Sequence, residues 1–151
     1  MIRGAQAADR AAVERIVRDA YGIYVERIGK PPGPMLDDHG AHVAAGHSWV
    51  AEPDGDVAGL LVLVPQPDHL LLDNIAVDPQ RHRQGIGAAL MRHAEQEAVR
   101  LGHRELRLYT HALMTENQAI YLRLGWTETG RGAQQGYDRV FFRKSLPAVI
   151  A

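Results

Sequence analysis

The sequence predicts a mixed α/β (α+β) fold in a single domain spanning residues 1–151, and three observations carry that expectation. Apolar runs of strand length alternate with stretches whose apolar residues recur at helical spacing. Two of the strand-like runs flank Pro53-Asp54-Gly55, a tight-turn signal that makes them an antiparallel hairpin rather than members of a βαβ series. The chain is also long enough to bury roughly two thirds of its unfolded surface around one core without covalent staples.

Taken in order, Ile2 to Ala5 reads as a short strand. Asp9 is placed to cap a helix from Arg10 to about Ala20, with Val13, Ile16, Val17 and Ala20 on one face. Tyr21 to Ile28 continues as a second helix until Gly29 and the Pro31-Pro32-Gly33-Pro34 cluster end it. That cluster is a rigid connector or one wall of a substrate cleft, with Tyr24, Arg27 and Met35 beside it as candidate substrate contacts. Asp37 to Gly46 has short helical character. Ser48 to Glu52 and Asp56 to Val64 form the hairpin, and Leu60 to Val64 is apolar on both faces, as suits a central strand covered on both sides. Leu70 to Val77 is a strand. Ile86 to Leu101 is a helix with Gly102 just past its end. Glu105 to His111 alternates Leu106 and Leu108 against Arg107 and Tyr109, a further strand. Thr115 or Glu116 opens a helix that Gly125 ends. Trp126 to Thr129 and Arg139 to Ser145 read as strands around a polar loop, Gly130 to Gly136.

Composition narrows the function classes. The chain has no Cys, which excludes disulfides, thiolate metal sites and a Cys nucleophile. A formal net charge of -1 argues against a nucleic-acid partner held by a strongly basic surface. No run approaches the length of a membrane span, and MIRGAQAADR lacks the apolar core of a signal peptide. A cytoplasmic protein with neither membrane nor nucleic-acid partners is therefore expected. None of the eight His residues forms a His-x-x-x-His pair on a helix with a partner acid, so they read as surface or loop residues and no metal is expected.

The stretch that carries chemistry is Leu70 to Ala89, LLLDNIAVDPQRHRQGIGAA. An apolar strand runs into a basic loop, and Gly85-Ile86-Gly87 then opens a helix. A helix start leaves backbone N–H groups unpaired, the two glycines clear side chains from them, and the helix dipole favours negative charge, so the loop suits phosphate oxygens. A dinucleotide-binding fold would want a third Gly where Leu90 stands, and no Gly-Lys-Ser/Thr follows to make a P-loop.

Ile75-Ala76-Val77 ending a strand, His82-Arg83-Gln84-Gly85-Ile86-Gly87 after it, Tyr121 to Trp126 closing a later helix, and the order of elements together resemble the GCN5-related N-acetyltransferase (GNAT) family. The family's acetyl-CoA motif is written Arg/Gln-x-x-Gly-x-Gly/Ala. Here His82 occupies its first position, and Arg83 stands where Gly is common. The resemblance spans Ile2 to Leu146 and is specific from Leu70 to Trp126. It implies a mixed, mostly antiparallel, twisted sheet of six to seven strands flanked by about four helices. It further implies acetyl-CoA as cosubstrate, held by Ile75, Ala76, Val77, His82, Arg83, Gln84, Gly85, Ile86, Gly87, Ala88, Asn117 and Tyr121. Two strands would splay near Ala76 and Tyr109, with the pantetheine arm filling the gap like another strand. The family's Asn seven residues before Tyr is Met114 here, while Asn117 lies four before Tyr121.

The activity so implied is transfer of an acetyl group to a primary amine, of a small molecule or a peptide, by direct attack in a ternary complex. A lysine-like amine is neutral in only about one molecule in 2,500 at pH 7, equivalent to roughly 4.6 kcal/mol, so a base is valuable. Asp73 is the first candidate, on the strand face that alternation gives to Ile75 and Val77, with Tyr109, His111 or water as alternatives. Tyr121 is the candidate partner of the leaving thiolate. Full proton transfer from an ordinary Tyr to a Cys-like thiolate is uphill by roughly 2 kcal/mol, so a hydrogen bond serves as well. A non-catalytic acyl-CoA-binding module and a protein-modifying acetyltransferase are the alternatives, and the protein is expected to be a monomer or homodimer.

Overall fold

The computed structural model describes residues 1–147; residues 148–151 of the expected domain lie outside the described residues. Seven strands form one sheet in the order β1-β2-β3-β4-β5-β7-β6. In chain order the elements are β1 (Ile2–Gly4), α1 (Arg10–Tyr21), α2 (Ile23–Ile28), α3 (Gly33–Leu36), α4 (His39–Ala44), β2 (Ser48–Ala51), β3 (Gly59–Pro65), β4 (Leu70–Val77), α5 (Ile86–Arg100), β5 (Glu105–His111), α6 (Thr115–Arg123), β6 (Thr127–Gln134) and β7 (Tyr137–Ser145). Neighbouring strands are antiparallel except β4 and β5. α1, α2, α5 and α6 are the four helices expected, α4 is the short helical character expected within Asp37 to Gly46, and α3, which starts inside the proline cluster, is an addition.

The sheet is buried on both faces over β3, as its continuous apolar run requires. Leu61 and Leu63 join Leu70, Leu72, Leu90, Leu106, Leu108, Trp126 and Phe142 in the core under α5. Leu60 and Val62 point the other way, into a core with Val13, Ile16, Val17 and Val50 under α1. Each fully buried Leu or Phe contributes about 1.5–3 kcal/mol, so these two layers fix where the helices lie. α5 comes close to β3 because position 59 is Gly: a Cβ there would sit 3.0 Å from Ile86 Cγ2 and from Leu90 Cδ1. That approach sets the N-terminus of α5 beside the end of β4.

Three local expectations change. Asp9 does not cap α1 with its side chain. Its carboxylate accepts from Gln6 N at 2.7 Å and pairs with Arg3 at 2.9 Å, closing the short turn before the helix. The polar loop Gly130 to Gly136 is largely strand: β6 runs from Thr127 to Gln134 and pairs with β7 through a two-residue turn, Gln135-Gly136, whose φ values are 54° and 81°. Such a turn matches the twist of a hairpin. An edge strand open to water has no apolar face to alternate, so its sequence carried no period-two signal. The third change is a bulge in β4. Val62 pairs with Asn74 and Leu63 with Leu72, which leaves Asp73 without a partner on β3. Leu72, before the bulge, and Ile75 and Val77, after it, pack on the α5 side, whereas Ala76 packs on the α1 side. Asp73 therefore sits with Asn74 on the α1 side, not on the face of Ile75 and Val77, because one extra residue shifts the alternation by one.

Candidate active site

At the end of β4, Asp78 accepts from Gln80 N at 3.0 Å and Arg15 of α1 at 3.2 Å, which pins the start of the loop. Arg81 is held by Gln84 Oε1 at 3.0 Å and by Asp54 Oδ2 at 2.8 Å. Arg83 (φ 67°) and Gly85 (φ 77°) are both left-handed, and Gly85 leads into α5. Alternating backbone handedness of this kind turns successive N–H groups toward one point, an anion-binding concavity. Among the described residues, no amide from His82 to Ala88 donates to a protein acceptor. A Cβ at Gly85 would meet nothing within 4 Å, so the space beside Gly85 is open. The residues thus fit the phosphate groups of a CoA-like ligand with main chain alone. His82, Arg83, Gln84 and Ala88 are exposed, Ile86 is buried, and Ile75, Gly87 and Val77 are half-buried.

β4 and β5 pair only at Leu70–Leu106 and Leu71–Arg107. Beyond that point β4 continues to Val77 beside β3, and β5 continues to His111 beside β7, so the sheet parts between them. The parting opens a cleft of about 520 Å³ lined by residues that include Asp37, His42, Asp73, Tyr109, Asn117, Tyr121 and Arg139. Tyr121 reaches it from α6, which is tied to the end of β5 by Gln118 Nε2 donating to His111 O at 3.2 Å and Ala112 O at 3.0 Å. The Tyr121 ring packs edge-on to Phe142 at 5.7 Å. Burial pushes its phenol well above the ordinary tyrosine value. On the other side, the Tyr21 hydroxyl lies 2.7 Å from Asn74 Oδ1 and 3.0 Å from the Ile75 carbonyl, bracing the bulge.

Asp73 faces charged company. His42 Nε2 is 2.8 Å from Asp37 Oδ2 and 3.6 Å from Asp73 Oδ2. Burial, then the negative charge of Asp37, raise the Asp73 carboxyl above its ordinary range, while His42 opposes them. The three side chains offer ligand atoms within 4.8 Å of one another, an arrangement suited to a cation such as an ammonium group. Burial and the Asp73 charge likewise raise the Tyr109 phenol, which stays protonated. His111 is lowered by burial, and its Nδ1 accepts from Leu113 N at 3.0 Å, so its basic nitrogen is already engaged.

The cleft thus gathers Asp73, Tyr109, His111, Asn117 and Tyr121, but Tyr24, Arg27 and Met35 stand outside its lining. Arg27 binds Glu116 at 2.7 Å and Leu113 O at 3.1 Å, and stacks 5.0 Å over Tyr24, clasping α2 to α6. Met35 packs into the α1-side core. The histidines are not all surface or loop groups: His39 and His42 lie on α4, and His39 is buried with Nε2 2.9 Å from Pro34 O. Asp37, His42 and Arg139 carried no motif. Their signal was only that charged residues flank the prolines and the last strand.

A family model described as Acetyltransferase (GNAT) family matches residues 11–126. N-acetyltransferase family 8 member 3 of Rattus norvegicus is 35% identical over 88 residues, which take in 54% of this chain and 39% of that protein. The match therefore spans well under half of that relative's length. Among solved structures, the PaiA N-acetyltransferase of Thermoplasma acidophilum in complex with coenzyme A has a TM-score of 0.78 at 17% identity, over 96% of this chain and 98% of that one. The ribosomal-protein-S18-alanine N-acetyltransferase of Escherichia coli has a TM-score of 0.73 at 22% identity, over 99% and 95%. Those two likenesses are of fold. The agreement of the family model with the parted strands and the open amides after β4 is decisive, and the chain belongs to the acetyltransferase (GNAT) family.

Proposed function

We propose that the chain is one catalytic domain, an acetyl-CoA-dependent N-acetyltransferase that acts on a primary amine by direct attack in a ternary complex. One observation carries the reading: β4 parts from β5 between the open amides at one end and Asp73 and Tyr121 at the other. Bound acetyl-CoA supplies the activated acetyl group. The amides of Gln84 to Ala88 take its phosphates, and the edge of β4 left unpaired after Leu71 offers Ile75 to Val77 to the pantetheine amides. Asn117, half-buried on α6, faces the same gap.

Asp73, with Asp37 and His42, receives the ammonium form of the acceptor. A carboxylate whose affinity for a proton is raised by burial is a better base than a solvated one: Asp73 takes one proton from the ammonium, the neutral amine then forms the new C–N bond, and its second proton passes to the departing sulfur. Tyr121 donates a hydrogen bond to the sulfur as the C–S bond breaks. Burial places the phenol further above a thiol than the roughly 2 kcal/mol of the unperturbed pair, so it stabilises the thiolate without surrendering its proton. His111 positions neighbours rather than moving protons, because Leu113 N occupies its free lone pair.

Thiol release from acetyl-CoA across a panel of primary amines tests the reading. The expected result is saturable release with at least one amine class, dependent on Asp73. Tight CoA binding with no release on a broad panel would identify a binding module instead.

A further inference from the structure

Arg139 is the one buried Arg or Lys among the described residues, at 7% exposure, and it lines the cleft. It sits on β7 opposite His111 of β5, on the face that also presents Tyr109 and Tyr137. Its guanidinium stacks 4.1 Å over the Tyr109 ring and 5.5 Å from the Tyr137 ring. No carboxylate of the described residues pairs with it. Nε has no hydrogen-bond partner, and Nη2 has only the Gln135 amide oxygen at 3.4 Å. The Nε–Nη2 edge is a two-donor fork that matches a planar carboxylate, and a buried cation without a counter-charge calls for one. Gln135 lies on the hairpin turn, where an exposed side chain can give way to an incoming anion. Lys30 adds positive charge at the same end, 4.1 Å over Tyr137. The negative cluster of Asp37 and Asp73 lines the same cleft, and Asp73 acts on the Tyr109 hydroxyl while Arg139 stacks on the ring.

We infer that the acceptor is an amine that also carries a carboxylate, its ammonium directed to Asp73 and Asp37 and its carboxylate held by the Nε–Nη2 edge of Arg139. The inference rests on the acetyltransferase reading of this cleft and adds the substrate class. Arg139, with Lys30 adding to its charge, and two acids with a His read the two charges of a zwitterion, and the Tyr109 ring between them sets the spacing.

The test offers acceptors in pairs, the free acid and its carboxamide, from α-amino acids to longer ω-amino acids. Thiol release gives kcat/KM for each member, and calorimetry on the CoA-loaded protein gives its affinity. A site built to pair with a group rejects the analogue lacking it, so the free acid of the best pair is expected to lead by ~10-fold or more, chiefly through KM. Arg139→Gln is expected to bring the acid down to the level of its carboxamide, with Arg139→Lys between. Turnover of acid and carboxamide at equal rates in the unmodified protein would overturn the inference and leave the acetyltransferase reading standing. Tighter binding of the acid without thiol release from any pair would uphold the carboxylate site and end the catalytic reading. Neither release nor a difference in binding would overturn both. The comparison in the unmodified protein decides the matter even if Arg139→Gln fails to fold.

Discussion

The loop after β4 and the cleft beside Asp73 share one strand but are built from different chemical groups. The loop offers a ligand main chain: open amides, two left-handed residues and a helix start, with the side chains of His82, Arg83 and Gln84 out in solvent. The cleft offers a ligand side chains drawn from α4, β4, β5, α6 and β7, with Arg139 buried and His42 and Asp73 half-buried. Backbone recognition depends on conformation and tolerates changes of side chain, whereas buried side chains answer to every substitution. Binding of the shared cosubstrate and choice of acceptor can therefore change independently.

That contrast breaks most visibly at Asp73. Asp73→Asn is expected to lower kcat/KM for the amine by roughly 10² to 10⁴, the range for general bases, while the dissociation constant of acetyl-CoA stays put. The same substitution should raise Tm at neutral pH. A carboxyl whose folded-state pKa is raised costs stability once it ionises. The penalty is absent below the ordinary carboxylate range and grows as pH rises through the raised value. Asn removes it, so the gain in Tm should vanish in acid. For the unmodified enzyme, kcat/KM should rise along an acidic limb that lies above the ordinary carboxylate range. A parallel loss of cosubstrate affinity in Asp73→Asn would mean that the two regions are not separate.

Tyr121→Phe comes next, with kcat lower by about 10 to 10³ and acetyl-CoA affinity little changed, measured by single-turnover release and by titration. At the loop the signs reverse. Gly85→Val forces a branched side chain to φ 77°, which costs roughly 1–2 kcal/mol and should weaken acetyl-CoA by about 5- to 30-fold with turnover at saturation retained. Smallest of all, His82→Ala and Arg83→Gly should move the KM for acetyl-CoA by no more than about threefold, because exposed charges near a phosphate are screened.

The same distinction explains what the sequence made readable. β4 and the helix start were legible because an apolar run, a proline loop and Gly85-Ile86-Gly87 are neighbours in the chain, and local chemistry decides their conformation. The bulge at Asp73 was not, because it arises from the pairing of Val62 with Asn74 and Leu63 with Leu72. Strict alternation assigned Asp73 the wrong face while naming the right residue for the cleft. The part of β6 from Gly130 on gives no strand signal, because a strand with both faces wet has no pattern to show. His42 and Asp37 meet Asp73, and Arg139 joins the same cleft, only after α4 and β7 are packed in place, and no spacing in the chain announces that gathering.

A crystal structure with coenzyme A would show whether one ligand runs from the amides after β4 into the parting of β4 and β5. Pyrophosphate oxygens are expected at about 3 Å from amides between Gln84 and Ala88, the usual N–H···O distance, and the sulfur in the gap between Ile75 and Tyr121. A pyrophosphate held elsewhere, or a sulfur outside that gap and out of reach of Tyr121, would contradict that path.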